Sequence, residues 1–178
     1  YLLARRQGIG SPRFAVGIAS PMQKLFRTGR PFPGQLETSV SLSAARGETE
    51  AFQLAVLAFA QPVRGVRVEA GDLKGDGGAV LPARQIQIHR VGYIETLKPK
   101  YAAEHVGEWP DPLLPNAPFD VEAKAVAPVW VSISVPREAR PGVYRGRVRV
   151  TAGGDTWPVE VSLRVRSFAL PEPGRLAT

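Results

Sequence analysis

The sequence predicts an all-β domain: an antiparallel β-sandwich of immunoglobulin or jelly-roll kind, with about eight or nine short strands and one long proline-rich loop. Three observations lead there. Apolar residues recur at every second position in several runs, the period of strands with one covered face. Eighteen glycines and 17 prolines punctuate a chain of 178 residues, about the share that suits a turn-rich β protein. Helical periodicity is nearly absent.

Taken in order, residues 1–13 show no clear period and read as a linker or tail. Phe14, Val16 and Ile18 alternate with small residues and predict a first strand. Met22 to Phe26 is expected to form one helical turn, and Arg27 to Gln35 a Pro/Gly loop. Val40, Leu42 and Ala44 alternate with Ser39, Ser41 and Ser43 in a half-buried strand, and Gly47 marks a bulge or turn after it. Ala, Leu, Gln and Glu in the stretch 48–60 favour a helix. Phe52, Leu54, Val56 and Ala58 nevertheless share one parity, and the neighbours are strands, so a strand is expected.

Val66 and Val68 carry another strand, ended by the loop Leu73 to Gly78. Ile86 and Ile88 begin the next, QIQIHRVGYIE. From Thr96 to Ala127 periodicity disappears and prolines punctuate the chain, so a long loop is expected. Its aromatics Tyr101, Trp109 and Phe119 argue against disorder. Val129, Val131, Ile133 and Val135 then form a strand whose other face shows Trp130, Ser132 and Ser134.

The clearest signal closes the chain. Tyr144, Gly146, Val148 and Val150 fall on one face of a strand, with Val143, Arg145, Arg147 and Arg149 on the other. After the turn Gly153-Gly154-Asp155, Trp157, Val159, Val161, Leu163 and Val165 alternate with Glu160, Ser162, Arg164 and Arg166. Two period-two runs joined by a glycine turn predict an antiparallel hairpin, apolar on one side and charged on the other. The sandwich is thus expected over 14–170, with 171–178 opening a linker to a further domain.

Composition narrows the function. No cysteine is present, so there is no disulfide and no thiolate metal site. Two histidines, His89 and His105, do not make a zinc site, and no cofactor-binding motif occurs. No apolar run approaches a membrane span. The net charge of +7 fits a nucleic-acid or acidic-polysaccharide partner. The arginines are spread over several strands, however, and no nucleic-acid-binding signature is found, so solubility explains most of that charge. Glu48 and Glu50 have the separation of a glycosidase pair but come from one local strand rather than across a cleft. No catalytic residue is assigned.

The candidate binding residues lie in GEWPDPLLP. Glu108 and Asp111 flank Trp109, so a ring for a pyranose face and carboxylates for its hydroxyls stand together. The same prolines stiffen a loop for docking on a neighbouring domain, with Leu113 and Leu114 as the apolar contact. Trp130, on the polar face of its strand, and Tyr93 are further stacking platforms. On the hairpin's charged face Glu160 must interleave with the arginines, or the face meets an acidic surface.

Several phrases occur together and in order: AARGETEAFQL, HRVGYIE, GEWPDPLLP, PVWVSISVP, PGVYRGRVRV and FALP. The set resembles the N-terminal β-sandwich domain of glycoside hydrolase family 123-like proteins. That resemblance implies a following (β/α)8 barrel, which carries an Asp-Glu pair and performs substrate-assisted, retaining hydrolysis of N-acetylgalactosaminides. The pair has no matching positions in this sequence. The implied role is non-catalytic bracing of the barrel, the domain's partner in the same polypeptide, and the implied compartment is periplasmic or extracellular. The other readings are a stand-alone carbohydrate-binding module for an oligosaccharide and an adhesion or assembly module for an acidic partner.

Overall fold

Alternation over Phe14–Ala19 (β1), Ser39–Arg46 (β2), Thr49–Ala58 (β3) and Val63–Ala70 (β4) produces the first four strands of the computed structural model, which describes residues 13–100, 102 and 105–171. Two short pieces follow, Leu73–Lys74 (β5) and Val80–Leu81 (β6). The rest are Ile86–Thr96 (β7), Gly107–Pro115 (β8), Phe119–Val121 (β9), Val126–Ser134 (β10), Gly142–Ala152 (β11) and Asp155–Ala169 (β12). Sheet A has the order β1-β3-β10-β7-β8, and sheet B the order β2-β12-β11-β4-β9, with β5 and β6 attached beside β11. Face to face they form the expected sandwich.

Four differences have physical reasons. There are 12 strands among the described residues, more than the eight or nine expected. The additional ones are chiefly β5, β6 and β9, two or three residues long and too short to show a period. Secondly, β2 pairs with β12 in parallel, Val40 opposite Val161 and Leu42 opposite Leu163, while all other pairs are antiparallel. The chain turns at Gly47 (φ 81°), so β2 belongs to sheet B and β3 to sheet A. Thirdly, the proline-rich stretch is not a free loop. β8 runs along β7 as the outer strand of sheet A, with Pro110 opposite Tyr93 and Pro115 opposite His89. An edge strand needs hydrogen-bond donors on one side only, so it tolerates prolines that a central strand would not. Tyr101 lies outside the described residues.

Finally, the helical turn expected at Met22 to Phe26 is replaced by a hydrogen-bonded turn that begins just before it, in which Gln23 N donates to the Ser20 carbonyl at 3.1 Å, and Gln53 shapes it. Gln53 is 3% exposed on β3 and donates through Nε2 to the carbonyls of Ser20 and Gln23, each at 2.8 Å. The Gln23 side chain in turn accepts from Ser20 N at 3.1 Å. This anchors the segment 20–36 across the outer face of sheet A, where Leu25 and Phe32 cover Ala19 and Ala55. β3 is therefore buried on both faces. Its small and amide residues, which look helix-forming in sequence, are those that fit beneath a covering segment.

The hairpin β11–β12 forms as expected, with unbroken register from Gly142 opposite Val165 to Ala152 opposite Asp155. Its turn uses Gly153 and Gly154 at φ 57° and 90°, the two positive values a primed turn requires. Trp157, Val159, Val161, Leu163 and Val165 are buried against sheet A, and Trp157 packs on Phe14 at 6.0 Å between ring centroids.

Candidate functional site

The sequence-predicted residues converge on one flank of the molecule: Glu108, Trp109, Asp111, Leu113 and Leu114 on β8, Tyr93 on β7 and Trp130 on β10. Strand alternation then divides them. A bulge between Val91 and Tyr93 shifts the β7–β8 register, and Gly92 lies beneath β8. A Cβ there would come within 2.9 Å of Pro112 Cγ and 3.0 Å of Leu114 Cδ1, so the missing side chain lets β8 pack closely.

Tyr93 belongs to the first of three groups. Its hydroxyl donates to the Leu25 carbonyl at 2.9 Å, and the Arg27 guanidinium lies 4.6 Å above its ring. Burial pushes the phenol pKa up, against the opposing pull of Arg27. Arg27 also pairs with Glu108 at 3.3 Å. With the ring capped and the carboxylate paired, neither group stands free.

Trp109 centres the second group. Its ring meets Phe26 and His105 edge-on at 5.6 and 5.5 Å, and its Nε1 donates to the His105 carbonyl at 3.2 Å. Arg30 lies 4.3 Å over Phe26. This aromatic stack fastens the end of β8 to the covering segment.

The third group is open. Trp130, Asp111, Leu113, Lys24 and Gln53 line a cleft of about 230 Å³ on the outer face of sheet A. Trp130 Nε1 donates to Ser132 Oγ at 3.0 Å, and Lys24 Nζ reaches the Pro110 carbonyl at 3.4 Å. Leu114 instead lines a separate cleft of about 390 Å³ with Arg27, Arg90, Tyr93 and Phe119. The two adjacent leucines therefore serve different surfaces, as consecutive residues of a strand must. Further apolar side chains are exposed along the β7–β8 pair: Ile94, Leu97 (86% exposed) and Val106 towards its Thr96–Gly107 end, and Leu113 farther along β8.

Sequence reasoning missed the contribution of segment 20–36. Lys24, Leu25, Phe26 and Arg27 contact β7 and β8 through backbone turns that have no periodic signature. The Glu48–Glu50 pair does not form, because Glu48 leaves the strand and accepts from Ala45 N at 2.6 Å. Across sheet B, Arg147 and Glu160 do pair, at 2.5 Å. Among the described residues no three His, Asp or Glu side chains converge to hold a metal ion, and no helix is long and apolar enough to cross a membrane.

Fold and flank together define a two-sheet β-sandwich domain with an apolar, partly open edge. The family model of the glycoside hydrolase 123 N-terminal domain matches residues 20–152, and the chain belongs to that family. Its fold is similar to part of a family 123 glycoside hydrolase from Clostridium perfringens, whose structure addressed glycolipid glycan hydrolysis. The TM-score is 0.74 at 19% identity, over 90% of this chain and 28% of that one. Looser matches include a PapD-like domain of human CEP192 (TM-score 0.45, 14% identity, 90% of this chain and 91% of that one). Another is the CooA pilin subunit of enterotoxigenic Escherichia coli (0.44, 11%, 88% and 99%). No curated protein sequence matches the chain.

Proposed function

We propose that this domain is the non-catalytic N-terminal sandwich of a multidomain glycoside-hydrolase-like protein, and that its β7–β8 flank braces a (β/α)8 catalytic barrel. The observation that carries this is that Ile94, Leu97, Val106 and Leu113 are all exposed along the β7–β8 edge of sheet A. Exposed apolar surface of that kind marks interaction sites. Pro110, Pro112 and Pro115 hold β8 in its paired form, which lowers the ordering cost of docking. The family match and the 28% coverage of the clostridial enzyme support a larger parent that resembles a β-N-acetylgalactosaminidase.

The test is Leu97→Ser with Leu113→Ser, made in the isolated chain and in the full-length polypeptide. Both side chains are solvent-exposed, so the isolated chain should change by no more than about 0.5 kcal/mol. The full-length protein should melt earlier and be cut faster between its domains. Unchanged melting and proteolysis of the full-length protein would refute the brace.

One observation favours a second reading, direct binding of an oligosaccharide. Of the three aromatic platforms, Tyr93 is capped and Trp109 is packed edge-on, whereas Trp130 faces a cleft beside the Asp111 carboxylate and the Lys24 ammonium. Glycan titration of the wild type and Trp130→Ala separates this reading from the brace, which requires no affinity for free sugar.

A further inference from the structure

The outer face of sheet B has no part in the proposed brace, and its chemistry is different. Arg145, Arg147 and Arg149 project from β11, and Arg164 and Arg166 from β12, all exposed. Lys74 of β5 stands opposite Arg145 in the register. Two carboxylates share the field: Glu160, opposite Arg147 and paired with it at 2.5 Å, and Glu69, opposite Arg149. Nearby Asp72 already accepts from Ala83 N at 2.7 Å. The cations thus exceed the anions among them, although like charges on neighbouring strands repel.

The field is also shaped. Lys74, Arg145, Arg147, Arg149 and Glu160 line a shallow depression of about 490 Å³ with Asp72. β2 runs beside it, with Ser39 and Ser41 exposed opposite Glu160 and Ser162, while Arg166 Nε donates to Ser43 Oγ at 2.7 Å. Side chains on one face of a sheet recur about every 7 Å along a strand and about every 5 Å between strands. The result is a grid of guanidinium groups bordered by hydroxyls.

We propose that this face binds a linear anionic polysaccharide bearing sulfate or carboxylate groups. A guanidinium takes such a planar or tetrahedral oxyanion through two parallel N–H donors, and the serines suit ring hydroxyls. Other polyanions fit the face less well. A protein interface has an apolar centre depleted of charge; here, among the described residues, the exposed large apolar side chains stand only at the margins of the field, Val80 opposite Lys74 and Phe168 in the irregular stretch between Val165 and Ala169. Single-stranded nucleic acid is held by aromatic stacking, and duplex DNA by an element that enters a groove; this flat field supplies neither. Membrane adsorption by an amphipathic surface adds apolar insertion to charge, and the middle of the field, from Arg145 to Arg149, presents charged side chains, with Val80 and Phe168 only at its margins. The inference stands apart from the brace and needs no barrel.

The experiment measures binding of the full 178-residue chain to heparin, uncharged dextran, single-stranded DNA and phosphatidylserine vesicles across a salt series. Two triple variants are compared: Arg145→Ser/Arg149→Ser/Arg164→Ser in the field, and Lys98→Ser/Lys100→Ser/Lys124→Ser, exposed and away from the depression, which lowers the net charge equally. The field variant should weaken heparin binding by about tenfold or more and flatten its salt dependence by about two to three charges, with the outside variant within about twofold of wild type. Melting curves check that both remain folded. Where the field triple melts early, Arg145→Ser alone should weaken heparin binding by about two- to threefold. Equal losses in the two triples would reduce the effect to net charge and overturn the proposal. Tighter binding to DNA or vesicles than to heparin would overturn the ligand class.

Discussion

The pair β11–β12 and the pair β7–β8 are both antiparallel neighbours, yet they serve opposite ends. In β11–β12 the register runs unbroken, and every inward residue of β12 from Trp157 to Val165 is at most 2% exposed. In β7–β8 a bulge interrupts the ladder, three prolines occupy the edge strand, and Ile94, Leu113 and Leu114 remain exposed. The first pair spends its apolar surface inside the domain. The second leaves apolar surface for something outside it and is held in place by side-chain contacts with segment 20–36. One is a source of stability and the other a place for recognition, and substitutions should separate them.

The largest contrast is between two tryptophans. Trp157 is 1% exposed and packs on Phe14, so Trp157→Ala should cost about 3–5 kcal/mol in denaturant unfolding. Trp130 lines an open cleft on the outer face, and Trp130→Ala should cost about 1 kcal/mol, an ordinary point-mutant value. Equal costs would mean that the Trp130 cleft is part of the core, and the comparison would break.

A second contrast uses glycines that lie beneath a neighbouring strand. A Cβ at Gly146 would come within 2.6 Å of both the Asp72 carbonyl oxygen and Leu73 Cδ2, where β5 crosses close to β11. Backbone cannot yield there, so Gly146→Ala should destabilise by about 1–3 kcal/mol. At Gly92 the nearest atoms are side-chain atoms of Pro112 and Leu114 rather than backbone, on a strand with no strand neighbour on its outer side. Gly92→Ala should cost less, below about 1 kcal/mol, while enlarging the β7–β8 spacing and altering the Leu114 cleft. Equal unfolding midpoints for the two variants would show that the edge is as rigid as the hairpin.

How much of this was legible in sequence follows from the same contrast. Alternation is visible where one face is covered and the other wet, so Val148, Val150, Val159 and Val161 announced their strands. It fails in β8, where the edge position tolerates proline and both parities are partly exposed, and a strand there reads as a loop. It is equivocal in β3, because both faces are buried and Gln53 is enclosed by a segment distant in sequence. The candidate residues of GEWPDPLLP were legible by type. Their division among a capped tyrosine, a packed tryptophan and an open cleft was not, because it depends on Lys24 to Arg27 arriving from far along the chain. The alternation that separates Leu113 from Leu114 needed the strand assignment first.

The smallest contrast lies within β7–β8 and is revealed by pH. The Tyr93 hydroxyl donates to the Leu25 carbonyl and thereby joins β7 to the covering segment. Tyr93→Phe removes that bond and should cost about 1 kcal/mol near neutrality. Burial raises the phenol pKa in the folded state above its unfolded value, which lies near about 10. The folded protein therefore holds this proton more tightly than the unfolded chain does. The corresponding stability is fully present below about pH 10 and is lost progressively above it, as the unfolded tyrosine ionises and the folded one resists. Wild type should thus lose stability between neutral and strongly alkaline pH faster than Tyr93→Phe, and the gap between them should narrow and then reverse. Urea unfolding at a series of alkaline pH values measures this directly. Parallel curves for the two proteins would show that Tyr93 ionises freely in the folded state, and that segment 20–36 opens from the flank while the hairpin core stays closed.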